Sequence, residues 1–177
     1  MAQDTLLVVQ DPDDPSRGTL RAAETVYRCA LGRAGVVRVE AKREGDGATP
    51  AGRYRLREVY YRDDRLSLPP TGLPVQTLTE ADGWCDDPAD DAYNRPVRLP
   101  HGSSTEALWR ADGRYDVIVP LGYNDDPVVP GHGSAIFLHV AADDYAPTAG
   151  CVALALGDLL AVLAGVDYGS FIEIRPA

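Results

Sequence analysis

The chain has 177 residues, enough for one domain with its own core. Its formal net charge of −10 argues against nucleic acid, whose phosphates call for clustered Lys and Arg, and against an anionic membrane surface. Cys29, Cys85 and Cys151 are too few for a disulfide framework, and three dispersed histidines give no zinc motif, but one Cys29–Cys85 disulfide stays open in an oxidising compartment.

In chain order, the N-terminus has no basic segment and only a short apolar run over residues 6–9, so it reads as neither a signal peptide nor a membrane span. That run reads instead as a first buried strand, stopped by the proline- and aspartate-rich residues 11–15. Residues 18–31 fit a helical face, but Thr19, Thr25, Val26 and Tyr27 between glycines favour two short strands. Residues 36–41 read as a strand or its edge, and residues 42–54 as a structured loop with three glycines and a proline. A strand over 53–61 and a charged turn over 62–65 follow. Residues 66–103, rich in proline, aspartate and glycine, read as a long irregular connection, and such connections are usually functional or disordered. Leu108 and Trp109 either end a short helix or begin a strand, and residues 115–119 read as a strand. The best helix is 158–164, charged at its start by Asp158 and closed by Gly165. A last strand covers 171–174. The pattern predicts a mainly β fold, one domain over 1–177, with one helix late in the chain.

Chemistry concentrates between Ser134 and Leu156. An apolar run delivers His139, a polar loop with Asp143 and Asp144 follows, and Thr148-Ala149-Gly150-Cys151 opens a second apolar run. A thiol is nucleophilic as thiolate, and an imidazole can take its proton and later protonate a leaving amine. Gly150 lets backbone approach a substrate carbonyl, amides near Gly150 and Cys151 could hold an oxyanion, and Thr148 could orient the loop. By themselves these residues fit a buried core thiol and a structural histidine as well as a catalytic dyad.

The order His139, loop, Thr148-x-Gly150-Cys151 resembles the catalytic motif of the L,D-transpeptidase (YkuD-like) family. Upstream, Gly45-Asp46-Gly47-Ala48-Thr49-Pro50-Ala51-Gly52-Arg53-Tyr54 resembles that family's G-x-x-x-T-P-x-G-x-[Phe/Tyr] segment. The ending resembles its closing helix and strand, in Asp158-Leu159-Leu160 and Gly169-Ser170-Phe171-Ile172-Glu173-Ile174. Residues 83–88, 93–96 and 133–139 suggest one branch of it, and the likeness is strongest over 31–177.

The resemblance implies an L,D-transpeptidase-like β-sandwich or barrel with one helix after the cysteine. It implies Cys151 as nucleophile and His139 as base and acid, with Gly150 and Thr148 in the oxyanion or orienting shell. The implied substrates are peptidoglycan stem peptides, with release of terminal D-alanine and transfer to an amine acceptor. Carbapenem β-lactams are implied as covalent inhibitors, and no metal or organic cofactor is implied. Trp84, Tyr93, Asn94, Tyr123 and Ser134 are candidate substrate-binding residues, since loop aromatics and amides often bind peptide or sugar. Ala149 and Ala153 stand where many members carry polar residues, which leaves donor choice open. Two other readings remain: an L,D-carboxypeptidase hydrolysing muropeptides, and a non-catalytic wall-binding module. The implied function places the protein in the periplasm or cell envelope, with the cytoplasm open because the start carries no leader. Peptidases of the papain type are disfavoured because they place Cys before His.

Overall fold

The structure, a computed structural model, describes residues 5–177. The reading of the N-terminus as leaderless rests partly on residues 1–4, which lie outside the described residues.

The described residues form fifteen short strands and one helix. In order they are β1 (Thr5–Gln10), β2 (Arg17–Ala22), β3 (Thr25–Ala30), β4 (Val36–Val37), β5 (Thr49–Pro50), β6 (Gly52–Arg55), β7 (Val59–Tyr61), β8 (Val75–Thr77), β9 (Asp82–Cys85), β10 (Pro96–Arg98), β11 (Thr105–Ala107), β12 (Val117–Pro120), β13 (Phe137–Val140), β14 (Val152–Leu154), α1 (Leu156–Leu163) and β15 (Phe171–Arg175). Ten of them make one sheet in the order β6-β15-β1-β2-β3-β14-β13-β12-β7-β8. That sheet curls back on itself. Beyond β6, Leu56 bridges Leu121, the Arg57 amide donates to Pro120 O (3.1 Å) and the Gly122 amide donates to Arg55 O (2.8 Å), so the far edge of β6 meets the end of β12. Closure of this kind removes an exposed edge, which would otherwise template pairing with another chain.

Side chains alternate across the curled sheet as strand geometry requires. One face turns inward and gathers Leu6, Val8, Leu20, Val117, Val119, Leu138, Val152, Leu154, Ile172 and Ile174. The helix adds Leu159, Val162 and Leu163 to this core. The opposite face carries a second, smaller cluster that includes Tyr60, Trp84, Leu108, Tyr115, Ile118, Phe137 and Cys151. Trp84 and Leu108 come from a separate three-stranded sheet, β10-β9-β11, and its end, which covers this outer face.

Several expectations are corrected. Residues 66–103 are not irregular throughout: they hold β8, β9 and β10, each three or four residues long, too short for alternation to be read from sequence. Leu108 and Trp109 follow strand β11 and belong to no helix. The strand over 53–61 is two strands, because the chain crosses from the β15 edge to the β12 edge at Leu56. The strand over 36–41 shrinks to Val36–Val37. The helix begins at Leu156, two residues before Asp158, with no side-chain cap, and it ends with the Gly165 amide donating to Val162 O (3.1 Å), so Gly165 tightens the last turn instead of supplying a left-handed cap. All three cysteines are free, Cys29 in the inner core and Cys85 on β9, so the Cys29–Cys85 disulfide is absent.

Candidate active site

Strands β13 and β14 run parallel, in register Leu138 to Val152 and His139 to Ala153. This pairing puts Phe137, His139, Cys151 and Ala153 toward the outer face, while Leu138, Val152 and Leu154 fill the core. Imidazole and thiol thus project from neighbouring strands on one face, and both line a cleft of about 680 Å³.

The turn before Cys151 is held from two sides. Inside it, the Thr148 hydroxyl donates to Cys151 O (2.7 Å) and accepts from the Gly150 amide (3.1 Å). Outside it, Thr148 pairs with the 31–33 segment: its amide donates to Leu31 O and the Arg33 amide donates to its carbonyl, each at 2.9 Å. The Gly32 amide in turn donates to the buried Thr49 hydroxyl (2.9 Å). Gly150 has φ +139°, and a methyl group there would lie 2.7 Å from Ala48 O. The Gly47–Pro50 loop is therefore the floor on which the cysteine turn rests. The two segments are a hundred residues apart in sequence but are one structural unit, and only glycine lets them approach this closely.

In this structure the Cys151 thiol donates to Ala135 O (3.2 Å) and accepts from the Phe137 amide (3.3 Å). His139 Nδ1 lies 2.8 Å from Val140 O. A carbonyl can only accept, so Nδ1 carries the hydrogen and Nε2 is left as the free base. The partner of Nδ1 is thus a backbone carbonyl. The Tyr115 ring stands edge-on to the imidazole, centroids 5.2 Å apart. Burial holds His139 down to about 4, against the opposing carbonyls of Val140 and Arg114. Burial pushes the Cys151 thiol up to about 12, helped by the charge of Glu106 and opposed by the Phe137 amide and Lys42. At neutral pH the resting pair is a thiol beside a neutral imidazole, with no preformed ion pair.

The cleft walls carry mixed charge. Arg33, Lys42, Arg110 and Arg114 line it together with Glu44, Asp86 and Glu106. Burial raises the Glu106 carboxyl, opposed by the hydrogen bond it accepts from the Tyr115 hydroxyl. Lys42 is almost wholly buried and paired with Asp46 at 2.6 Å. Arg33, Lys42, Glu44, Glu106, Arg110 and Arg114 did not stand out in the sequence. Glu106 reaches the cleft only because β11 pairs with β9, and strands of three and four residues leave no periodic signal.

Of the residues read from sequence, Cys151, His139, Thr148 and Ser134 line the cleft together, as does Ala149. Gly150 sits beneath the turn. Ser134 donates to Glu44 (2.7 Å). Trp84, Tyr93, Asn94 and Tyr123 stand behind the wall and are buried. Trp84 Nε1 donates to Asn94 Oδ1 (2.9 Å), and the indole packs edge-on against Phe137 (5.1 Å). The Tyr93 hydroxyl binds Glu44 and accepts from the Gly133 amide (3.0 Å). The Tyr123 hydroxyl donates to His132 O (2.5 Å). Asn94 makes four bonds: Oδ1 accepts from Trp84 and from the Ala135 amide (3.0 Å), and Nδ2 donates to Tyr123 O (3.1 Å) and Asn124 O (2.8 Å). It thereby anchors Ala135, whose carbonyl receives the thiol and whose φ is +54°. Ala153 is buried beside His139 and stays out of the cleft lining. Asp143 and Asp144 are exposed turn residues.

A model of the L,D-transpeptidase catalytic domain, YkuD, matches residues 6–174. No curated protein matches the chain. Among solved structures, L,D-transpeptidase 1 of Mycobacterium tuberculosis is similar at 15% identity and a TM-score of 0.41, covering 98% of this chain. The chain spans 62% of the length of that structure.

Proposed function

The chain belongs to the L,D-transpeptidase catalytic domain family, and from that premise we propose that it is a cysteine acyltransferase acting on peptidoglycan stem peptides in the cell envelope. The observation that carries this reading is the pairing of a thiol and a correctly tautomerised imidazole on one face of adjacent strands, opening on one cleft.

The proposed reaction begins with substrate displacing the thiol from Ala135 O toward Nε2 of His139. Apo hydrogen bonds at such sites are often not yet the productive ones. As Sγ bonds to the carbonyl carbon of the stem's third residue, its proton passes to Nε2. The imidazolium formed is stabilised through Nδ1–H by Val140 O. The oxyanion meets the Cys151 amide, because the Gly150 amide is already committed to Thr148. Such a donor is worth roughly 3–4 kcal/mol. Collapse breaks the C–N bond, and His139 returns its proton to the departing D-alanine amine. The thioester then yields to the side-chain amine of a second stem, whose extra proton goes to His139 and whose attack releases Cys151 as thiol.

The test follows intact mass during incubation with a stem tetrapeptide and, separately, a carbapenem. The expected adducts sit on Cys151 and vanish in Cys151→Ala. Folded wild-type protein that forms neither adduct refutes the proposal and leaves a non-catalytic wall-binding module. Product analysis with an amine acceptor present distinguishes transfer from hydrolysis, the L,D-carboxypeptidase outcome. Among the described residues no helix is long and apolar enough to cross a membrane.

A further inference from the structure

Away from the cleft thiol, a second cysteine lies in a different chemical setting. Cys85 ends β9, and its side chain, with those of Asp90 and His101, brings a sulfur, a carboxylate oxygen and a ring nitrogen within 4.8 Å of one another. The three residues are spaced irregularly along the sequence, so no metal motif is legible. The fold converges them through the paired strands β9 and β10: the Cys85 amide donates to Arg95 O (2.9 Å), the Asn94 amide returns to Cys85 O (2.9 Å), and His101 follows β10 on the way to β11.

The donor set is that of a transition metal. Thiolate, imidazole and carboxylate are the ligands of zinc, with Zn–S about 2.3 Å and Zn–N or Zn–O about 2.0–2.2 Å. Tetrahedral placement at those lengths separates ligand atoms by about 3.3–3.8 Å; the present atoms all lie within 4.8 Å of one another, and Asp90 Oδ2 and His101 Nε2, now 3.1 Å apart, part slightly to admit the metal. The ligands also have the supporting contacts that such sites need. Asp90 Oδ2 accepts from Ser103 Oγ (2.5 Å) and Oδ1 accepts from the Ala92 amide (2.7 Å), while the 3.1 Å contact of Asp90 Oδ2 with His101 Nε2 is the one that the metal replaces. The Asp87 amide faces the Cys85 sulfur. Asp86, Asp87 and Asp90 surround the thiol with negative charge, an environment that a dication neutralises. Cys85 is fully buried, but the His101 and Asp90 side chains are 23% and 18% exposed, which leaves an entry path from solvent.

We infer that Cys85, Asp90 and His101 form a three-ligand zinc site, its fourth position taken by water, that ties the small sheet together over the outer face. On binding, the Cys85 S–H bond breaks, its proton leaves to solvent, and an S–Zn bond forms. The site is separate from the cleft chemistry: it stands whether or not Cys151 acylates. Its effect on the cleft runs through Asp86, the next residue, which lines the wall.

The test uses the full chain, stripped with chelator and titrated with Zn²⁺ or Co²⁺ alone. The expected result is one metal per chain retained after desalting, a sulfur-to-cobalt charge-transfer band, and a Tm raised by about 5 °C at a hundredfold excess over Kd. Cys85→Ser and His101→Ala each weaken binding at least about tenfold, and Cys151→Ser binds as wild type. Should Cys85→Ser misfold, His101→Ala on its partly exposed loop carries the comparison. Absence of retained zinc in wild type, wild-type affinity in His101→Ala, or loss of binding in Cys151→Ser overturns the assignment.

Discussion

His139 makes stability and chemistry depend on acid in a linked way. Burial depresses its folded pKa to about 4 from the ordinary 6.5. The unfolded chain therefore takes up a proton below pH 6.5 that the folded chain refuses until about pH 4, so stability rises with pH across that window and is lost as pH falls through it. Worked through the linkage relation, the imidazole removes about 2.5 kcal/mol between about pH 7.5 and about pH 4.5, a large share of an ordinary domain's stability. Urea unfolding of wild type and His139→Gln at both pH values measures this directly. Carboxylate contributions are common to the two proteins and cancel in the difference. Wild type should lose about 2.5 kcal/mol more than the variant. Equal losses, within about 0.5 kcal/mol, would refute the neutral buried imidazole and with it the reading of Nε2 as a base that needs no prior deprotonation.

Three further outcomes follow from the same geometry. Gly150→Ala places a methyl against Ala48 O at a backbone angle that side chains rarely adopt, so it should cost about 1–3 kcal/mol in thermal or urea unfolding and abolish adduct formation on Cys151. Asn94→Ala strands two buried N–H groups and two carbonyls, and should destabilise by about 3 kcal/mol or more; a loss under about 0.5 kcal/mol would show that water replaces the side chain. Glu106→Gln keeps an acceptor for Tyr115 but removes a negative charge from the Cys151 surroundings, so the pH midpoint of Cys151 alkylation should fall; a rise would contradict the assigned direction.

Sequence reasoning singled out His139 and Cys151, which the fold brings to one cleft, because they carry chemistry in their side chains and flank one loop. It read the Thr49 loop as structured from its glycines and proline, and tied it to Cys151 only through family likeness. The physical tie, the Gly150–Ala48 approach, involves backbone atoms with no side-chain signature. The same holds for Val140 O, the partner of His139 Nδ1. The 66–109 stretch resisted because three-residue strands show no period, and so the positions of Glu106, Asp86 and Cys85 were hidden together. Trp84, Tyr93, Asn94 and Tyr123 read from sequence equally well as ligand-binding loop residues and as anchors of their loops. In the structure their polar atoms are engaged in holding the cleft wall, a distinction that depends on burial and not on residue type.

The face alternation of β13 and β14 has a bearing on how such a chain can change over time. Odd positions of both strands look toward the outer face, which carries the cleft, and even positions toward the core. A one-residue insertion or deletion inside either strand would exchange the two sets, sinking His139 or Cys151 among aliphatics and presenting Leu138 or Val152 to substrate. Length variation is thus barred within these few residues and tolerated in residues 142–146 between them, where exposed Asp143 and Asp144 bear no part of the wall. Mutational drift in this protein is governed by parity: substitutions are judged one by one, but a shift of frame by a single residue fails both the core and the chemistry at once.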